Sequence, residues 1–167
     1  MITEKLISML DSHLAKLNKS WVKMVQVNEN TASYHKMDQK KLGERSKFVY
    51  EKLKMWLDWQ ITSKEVAKVF WQLGLDRKNQ NIPLSEVHYA LILTKRNLYI
   101  NILEKLGKDD VADMEELIAF TSRITYFFDK AGHFIIKGYE GLNEPSEEDE
   151  TALDDILAAF RAGSSPD

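Results

Sequence analysis

Cysteine is absent from this chain of 167 residues, which removes disulfides, thiolate nucleophiles and thiolate metal sites together. A reducing compartment suits such a protein, and the expectation is a cytoplasmic one. Long apolar runs are missing too. No stretch approaches the roughly 18 to 20 residues that a bilayer requires, and the opening MITEKLISMLDSHLAKL sets acids inside its apolar pattern, against a signal peptide. No membrane partner is expected. Glycine and proline are scarce, at 7 and 3 residues, and Pro83, Gly107, Gly138, Gly141 and Pro145 fall where helices should break. No run alternates with period two over the length of a strand, so no sheet is expected.

What is present is helical periodicity. One domain of this length can bury roughly 70% of its unfolded surface. With 44% hydrophobic and 29% charged residues, the chain is not disordered by composition. Its most informative stretch is RKNQNIPLSEVHYALILTKRNLYINILEKL, from Arg77 to Leu106. Pro83 and Ser85 open a helix there, and Glu86 places a carboxylate where the helix dipole favours one. Val87, Leu91, Thr94, Leu98, Ile102 and Leu106 then recur at three- and four-residue steps along one face.

Before it, a first helix runs from about Thr3 to Val27, with Leu6, Leu10, Leu14, Leu17, Trp21 and Val25 on one stripe. A polar loop holding Asn28, Asn30, Thr31 and Ser33 closes it. The second helix runs from about Asp38 to Gln60, with Leu42, Val49, Leu53, Trp56 and Leu57 inward. Thr62 and Glu65 have capping-box spacing and start a third, which continues through Val66, Phe70, Leu73 and Arg77. After Gly107, Asp109 caps a long helix to about Lys137, with Val111, Met114, Leu117, Ile118, Thr121, Ile124, Thr125 and Phe128 on its buried side. Gly132 bends that helix or admits a close neighbour. The fold class is all-α: a single-domain helical bundle of five to six main helices, followed by a short C-terminal amphipathic helix.

Charge separates the tail from the body. Residues 1–61 hold 11 basic against 7 acidic side chains, whereas residues 143–167 hold 8 acids against a single arginine. The division expected is a helical sensory or binding domain over residues 1–142 and an acidic tail over 143–167. In the tail Ser146 can cap a short helix that carries Leu153, Ile156, Leu157 and Phe160 on one face. A helix so short is marginal alone in water, so it must dock on its own domain or in a partner's groove. Those four side chains are the candidate partner-binding residues.

Reactive constellations are not found. The histidines His13, His35, His88 and His133 are scattered, with no H-E-x-x-H and no E-x-x-H of the kind a di-iron bundle uses. A capping or surface role suits His88, and an inward hydrogen-bonded one suits His133; haem or another tetrapyrrole held by either is the alternative. No nucleophile elbow or phosphate-binding glycine loop occurs, so no enzyme, metal or cofactor is expected. In the second helix Lys40, Lys41, Arg45, Lys47, Lys52 and Lys54 are interleaved with Glu44, Glu51 and Asp58. That mixing, with a sequence pI near 5.9, speaks for a solvated face and against nucleic acid. The aromatics are plentiful. Trp21, Trp56, Trp59, Trp71, Tyr126, Phe127, Phe128 and Phe134 serve either as core or as walls of a pocket between helices.

The stretch from Leu73 to Glu140 resembles the helical N-terminal domain of RsbT co-antagonist (RsbR-type) regulators. The resemblance rests on an arginine-bearing helix, the turn NIPLSEV, the apolar helix around LILTKRNL, a second long helix MEELIAFTSRITYFFDKAGHFIIKGYE, and the early Trp21. It runs over about residues 5 to 140, with no catalytic signature to match. It implies a globin-like or bundle-like all-helical fold without haem, acting as a sensory input module for stress signalling, often dimeric and followed by an output domain that is not read in this sequence. The family's turn glycine would fall at Gln80 or Asn81, and asparagine tolerates the left-handed conformation. The function expected is non-enzymatic signal transduction by binding a ligand or a protein partner through helix packing. A homodimer is expected, with Trp21, Trp71, Tyr89, Phe127 and His133 lining any internal pocket. A small adaptor or anti-sigma-type regulator that uses the C-terminal helix is the further alternative.

Overall fold

Short polar side chains start and stop the helices. Asp38 accepts the Lys41 N–H at 3.0 Å at the head of one helix. Thr62 and Glu65 form the reciprocal pair read from their spacing, with Glu65 N to Thr62 Oγ1 at 3.2 Å and Thr62 N to Glu65 Oε2 at 2.6 Å. At the turn before Pro83, Asn81 adopts a φ of 57°, the left-handed conformation that asparagine tolerates. Gly141, with a φ of 72°, ends the last helix.

The computed structural model describes residues 2–101 and 114–146, and every regular element among them is helical. In order these are α1 (Ile2–Val27), a 3-10 helix (Glu29–Tyr34), α2 (Gln39–Leu57), α3 (Ser63–Asn79), α4 (Leu84–Asn101) and α5 (Met114–Tyr139). Together they form one all-helical bundle. No described helix is long and apolar enough to cross a membrane. Ile102, Leu106, Gly107, Asp109, Val111 and the tail residues Leu153, Ile156, Leu157 and Phe160 lie outside the described residues.

Several expectations need correction. The polar loop after α1 is a 3-10 helix, because the Asn28 side chain caps it through the Asn30 N–H and the Thr31 hydroxyl bonds back to the Val25 carbonyl at 2.8 Å. Glu86 does more than face its own helix dipole: its Oε2 accepts the Ser33 N–H at 2.7 Å and ties α4 to the 3-10 helix. On α5, Ile124 and Phe128 are buried as expected, but Ile118 is 59% exposed, and the buried side also takes in Phe120, Phe127, Ala131, Phe134 and Ile135. Gly138 is no helix break. It lies inside α5, which runs on to Tyr139.

The reason is the α3–α5 seam. A Cβ on Gly74 would overlap the Ile135 carbonyl, and one on Gly138 would overlap the Trp71 carbonyl, so both glycines let the two backbones touch. Trp71 Nε1 donates to the Leu142 carbonyl at 3.0 Å and Tyr139 donates to the Ile82 carbonyl at 2.8 Å, fixing the end of α5. Phe127 sits beside Phe70 across the seam, edge to face at 5.6 Å between centroids, and beside Trp56 of α2 at 5.7 Å.

A polar network joins α1, α2 and α4. Tyr50 donates to the Thr94 carbonyl at 3.0 Å, and the Asn97 amide donates to Tyr50 Oη at 2.8 Å and to the Leu17 carbonyl at 2.9 Å. Burial pushes the Tyr50 hydroxyl well above the usual tyrosine pKa, against the smaller opposing effect of its bond to Asn97, so it stays a neutral donor. Trp21 adds a bond from Nε1 to the Ala90 carbonyl at 3.1 Å. The rear of α4 is thus held by directional bonds.

Candidate functional site: a cleft between α4 and α5

Where α3 and α5 touch through glycine, α4 and α5 stand apart. From α4 come His88, Leu91, Ile92 and Lys95, at the offsets 0, 3, 4 and 7 that share one helix face. Opposite them α5 presents Phe128, Asp129, Gly132, His133 and Ile136 at the same kind of spacing. The gap between the two faces is a cleft of about 270 Å³. Gly132 forms its floor: a Cβ there would lie 3.4 Å from His88 Nε2 and 3.6 Å from Leu91 Cδ2, in ordinary contact. The glycine keeps a methyl out of that space.

The walls are of two kinds. Leu91 and Phe128 are buried and apolar, with Ile92 and Ile136 beside them. His88 and His133 supply ring nitrogens that donate or accept, while Lys95 and Asp129 face each other at 3.9 Å across the mouth with Asp129 largely in solvent. A pair that exposed adds little to stability, so its members are free to turn toward a ligand. The remaining histidines are elsewhere. His13 bonds the Met9 carbonyl at 3.1 Å and His35 the Asn28 carbonyl at 2.8 Å. Among the described residues no group of three or more His, Asp or Glu is gathered in a way that could hold a metal ion.

The five side chains expected around one pocket go to five places. His133 lines the α4–α5 cleft. Trp21 lines a separate, smaller pocket of about 30 Å³. Phe127 is in the aromatic cluster with Trp56, Phe70 and Phe128, and Trp71 is on the α3–α5 seam. Tyr89 packs against the core and lines neither cavity.

Comparison with protein-family models, curated proteins and solved structures finds no match. The cleft must be read from its own residues.

Sequence reasoning missed Ile92, Lys95, Asp129 and Ile136 as cleft residues. The spacing His88-Leu91-Ile92-Lys95 was available as a signal, but nothing local says that α4 turns this edge toward α5. Gly132, flagged as a place for a close neighbour, was the nearest hint.

Proposed function

We propose that the chain is a binding module of the sensory-input type, in which the α4–α5 cleft takes a small molecule with an apolar body and a hydrogen-bonding or acidic head. The observation that carries this reading is the cleft itself, about 270 Å³ with a glycine floor, apolar walls and a histidine contributed by each of the two helices. Its volume lies just below the usual range of ligand sites, which runs from roughly 300 Å³ upward. The apolar walls accept the body of the ligand by removing its surface from water. His88, His133 and Lys95 fix the head. A tetrapyrrole is too large for this space unless α4 and α5 part.

Transmission follows from how α4 is held. Its front face lines the cleft, while its rear face is bonded to α1 and α2 through Asn97, Thr94 and the Ala90 carbonyl. A ligand that wedges between α4 and α5 therefore strains bonds to two other helices, and shifts their packing only by its differential affinity for the two arrangements. The resemblance to RsbR-type input domains supports the same reading and adds a homodimer in a signalling pathway, with a protein partner that reads the shift.

The test is a thermal-shift series on the full chain with aliphatic and aromatic carboxylic acids of increasing apolar size, run beside Gly132→Leu, which fills the cleft. Stabilisation of the parent and none of the variant supports the reading. Equal response in both, or none in either, removes it. Titration with hemin, followed in the visible spectrum, checks the tetrapyrrole alternative, and light scattering at high micromolar concentration checks the dimer.

A further inference from the structure

The smaller pocket holds a feature the cleft does not explain. Arg45 from α2 and Arg77 from α3 both line it, together with Tyr34 and Trp21. Arg77 is at the end of the apolar stripe of α3, in line with Phe70, and so faces inward. Among the described residues neither arginine forms an ion pair within 4 Å. Arg45 Nη2 donates to the neutral Gln80 Oε1 at 2.6 Å, its guanidinium lies 5.6 Å from the centre of the Tyr34 ring, and its Nη1 is buried with no hydrogen-bond partner.

Neither nearby carboxylate forms an ion pair with them: Glu86 accepts the Ser33 N–H, and Asp76, whose charge favours the Arg77 guanidinium less than burial opposes it, accepts from the Gln72 amide at 2.8 Å. Burial first, and the charge of Arg45 second, pull Arg77 below the usual arginine pKa, and burial does the same to Arg45. Tyr34 is raised by burial, against the pull of both guanidiniums near its hydroxyl. Two like charges are therefore brought into one poorly solvated place, where each would be more stable beside a negative charge.

We propose that Arg45, Arg77 and Tyr34 form a binding site for one compact monovalent anion, from a halide to a single carboxylate group in size. The cavity of about 30 Å³ sets that limit. A water needs roughly 10–15 Å³ of such space, so there is room for a chloride, a nitrate or a carboxylate, but not for a nucleotide or a sugar phosphate. Guanidinium N–H groups suit all three as donors, and the Tyr34 hydroxyl adds another. Trp21, edge to face with Tyr34 at 6.2 Å, closes the apolar side.

The melting temperature of the full chain is measured against sodium chloride, bromide, nitrate, formate and acetate, with sodium gluconate holding ionic strength constant. The parent is expected to gain stability with the small anions relative to gluconate. Arg77→Met and Arg45→Met should lose that gain while keeping or raising the melting temperature in gluconate alone, because an unpaired charge has been replaced by an apolar chain. A merely structural arginine gives the opposite pattern: lower stability in gluconate and an unchanged slope with chloride. Should a variant fail to fold, crystals of the parent soaked in bromide decide. An anomalous peak between the guanidiniums supports the site, and water alone there overturns it. A larger response to formate and acetate than to halides identifies the natural occupant as a carboxylate rather than an inorganic ion.

Discussion

The two sides of α5 use the same residue type to opposite ends. Toward α3, Gly138 together with Gly74 lets backbone meet backbone, and nothing is left between the helices. Toward α4, the atoms nearest a Cβ on Gly132 would be the tip of His88 and a Leu91 methyl, and a cleft remains. Close packing in one place and an opening six residues earlier show that a missing Cβ has no fixed meaning. The neighbour decides it. Where the facing atoms are another helix's carbonyl, glycine is required for the fold; where they are flexible side-chain ends, it is required only for the opening.

Gly138→Ala is the largest way to break that comparison. The new methyl overlaps the Trp71 backbone, which cannot rotate aside, so α3 and α5 must separate and lose the packing around Phe70 and Phe127. A loss of about 3 kcal/mol or more is expected, at the upper end for overpacked cores, measured as a fall in urea midpoint. Gly74→Ala should behave alike, and the double variant should cost less than the sum, since one separation serves both. An additive double variant would show that the two contacts are independent and that the seam is no single unit.

Tyr50→Phe comes next and tests the rear of α4. It removes the bond to the Thr94 carbonyl and leaves Asn97 Nδ2 only the Leu17 carbonyl to donate to, at a cost of about 1–2 kcal/mol. Because that network backs the cleft, ligand affinity should fall as well, although Tyr50 does not line it. A stability loss with unchanged affinity would mean that the cleft is held by α5 alone. Thr62→Ala removes the cap of α3 and one side of the capping box, for a loss of about 1 kcal/mol. It lowers stability on the seam side and should leave the cleft's ligand response unaltered.

The sequence carried the helices well because their signals are local. Stripes such as Leu6-Leu10-Leu17-Trp21-Val25, the Thr62–Glu65 cap and the Asn81 turn depend on neighbours within a few residues. What it did not carry is set by distant partners. Gly138 reads as a breaker from propensity, and only the Trp71 carbonyl beside it explains why it is kept inside a helix. Ile118 belongs to a plausible stripe of α5, yet α5 turns that edge out because the glycine contact with α3 fixes its rotation. His88 and His133 line one cleft that no periodicity announces. The inward position of Arg77 was visible as a break in an apolar stripe, but its companion Arg45 was hidden among surface lysines of α2.

Gly132→Ala is expected to have the smallest effect, and one of opposite sign to Gly138→Ala. Glycine inside a helix is less favourable than alanine by roughly 0.5–1 kcal/mol, through the freedom it retains in the unfolded chain. At position 138 that gain is overwhelmed by overlap with backbone; at position 132 the methyl would rest 3.4 Å from His88 Nε2, at the end of a side chain that can yield. The variant should therefore be as stable as the parent or more so, by at most about 1 kcal/mol, while the cleft shrinks and ligand response weakens. If instead Gly132→Ala destabilises as Gly138→Ala does, the α4–α5 gap is no opening at all but a second seam, and the distinction between the two faces of α5 fails.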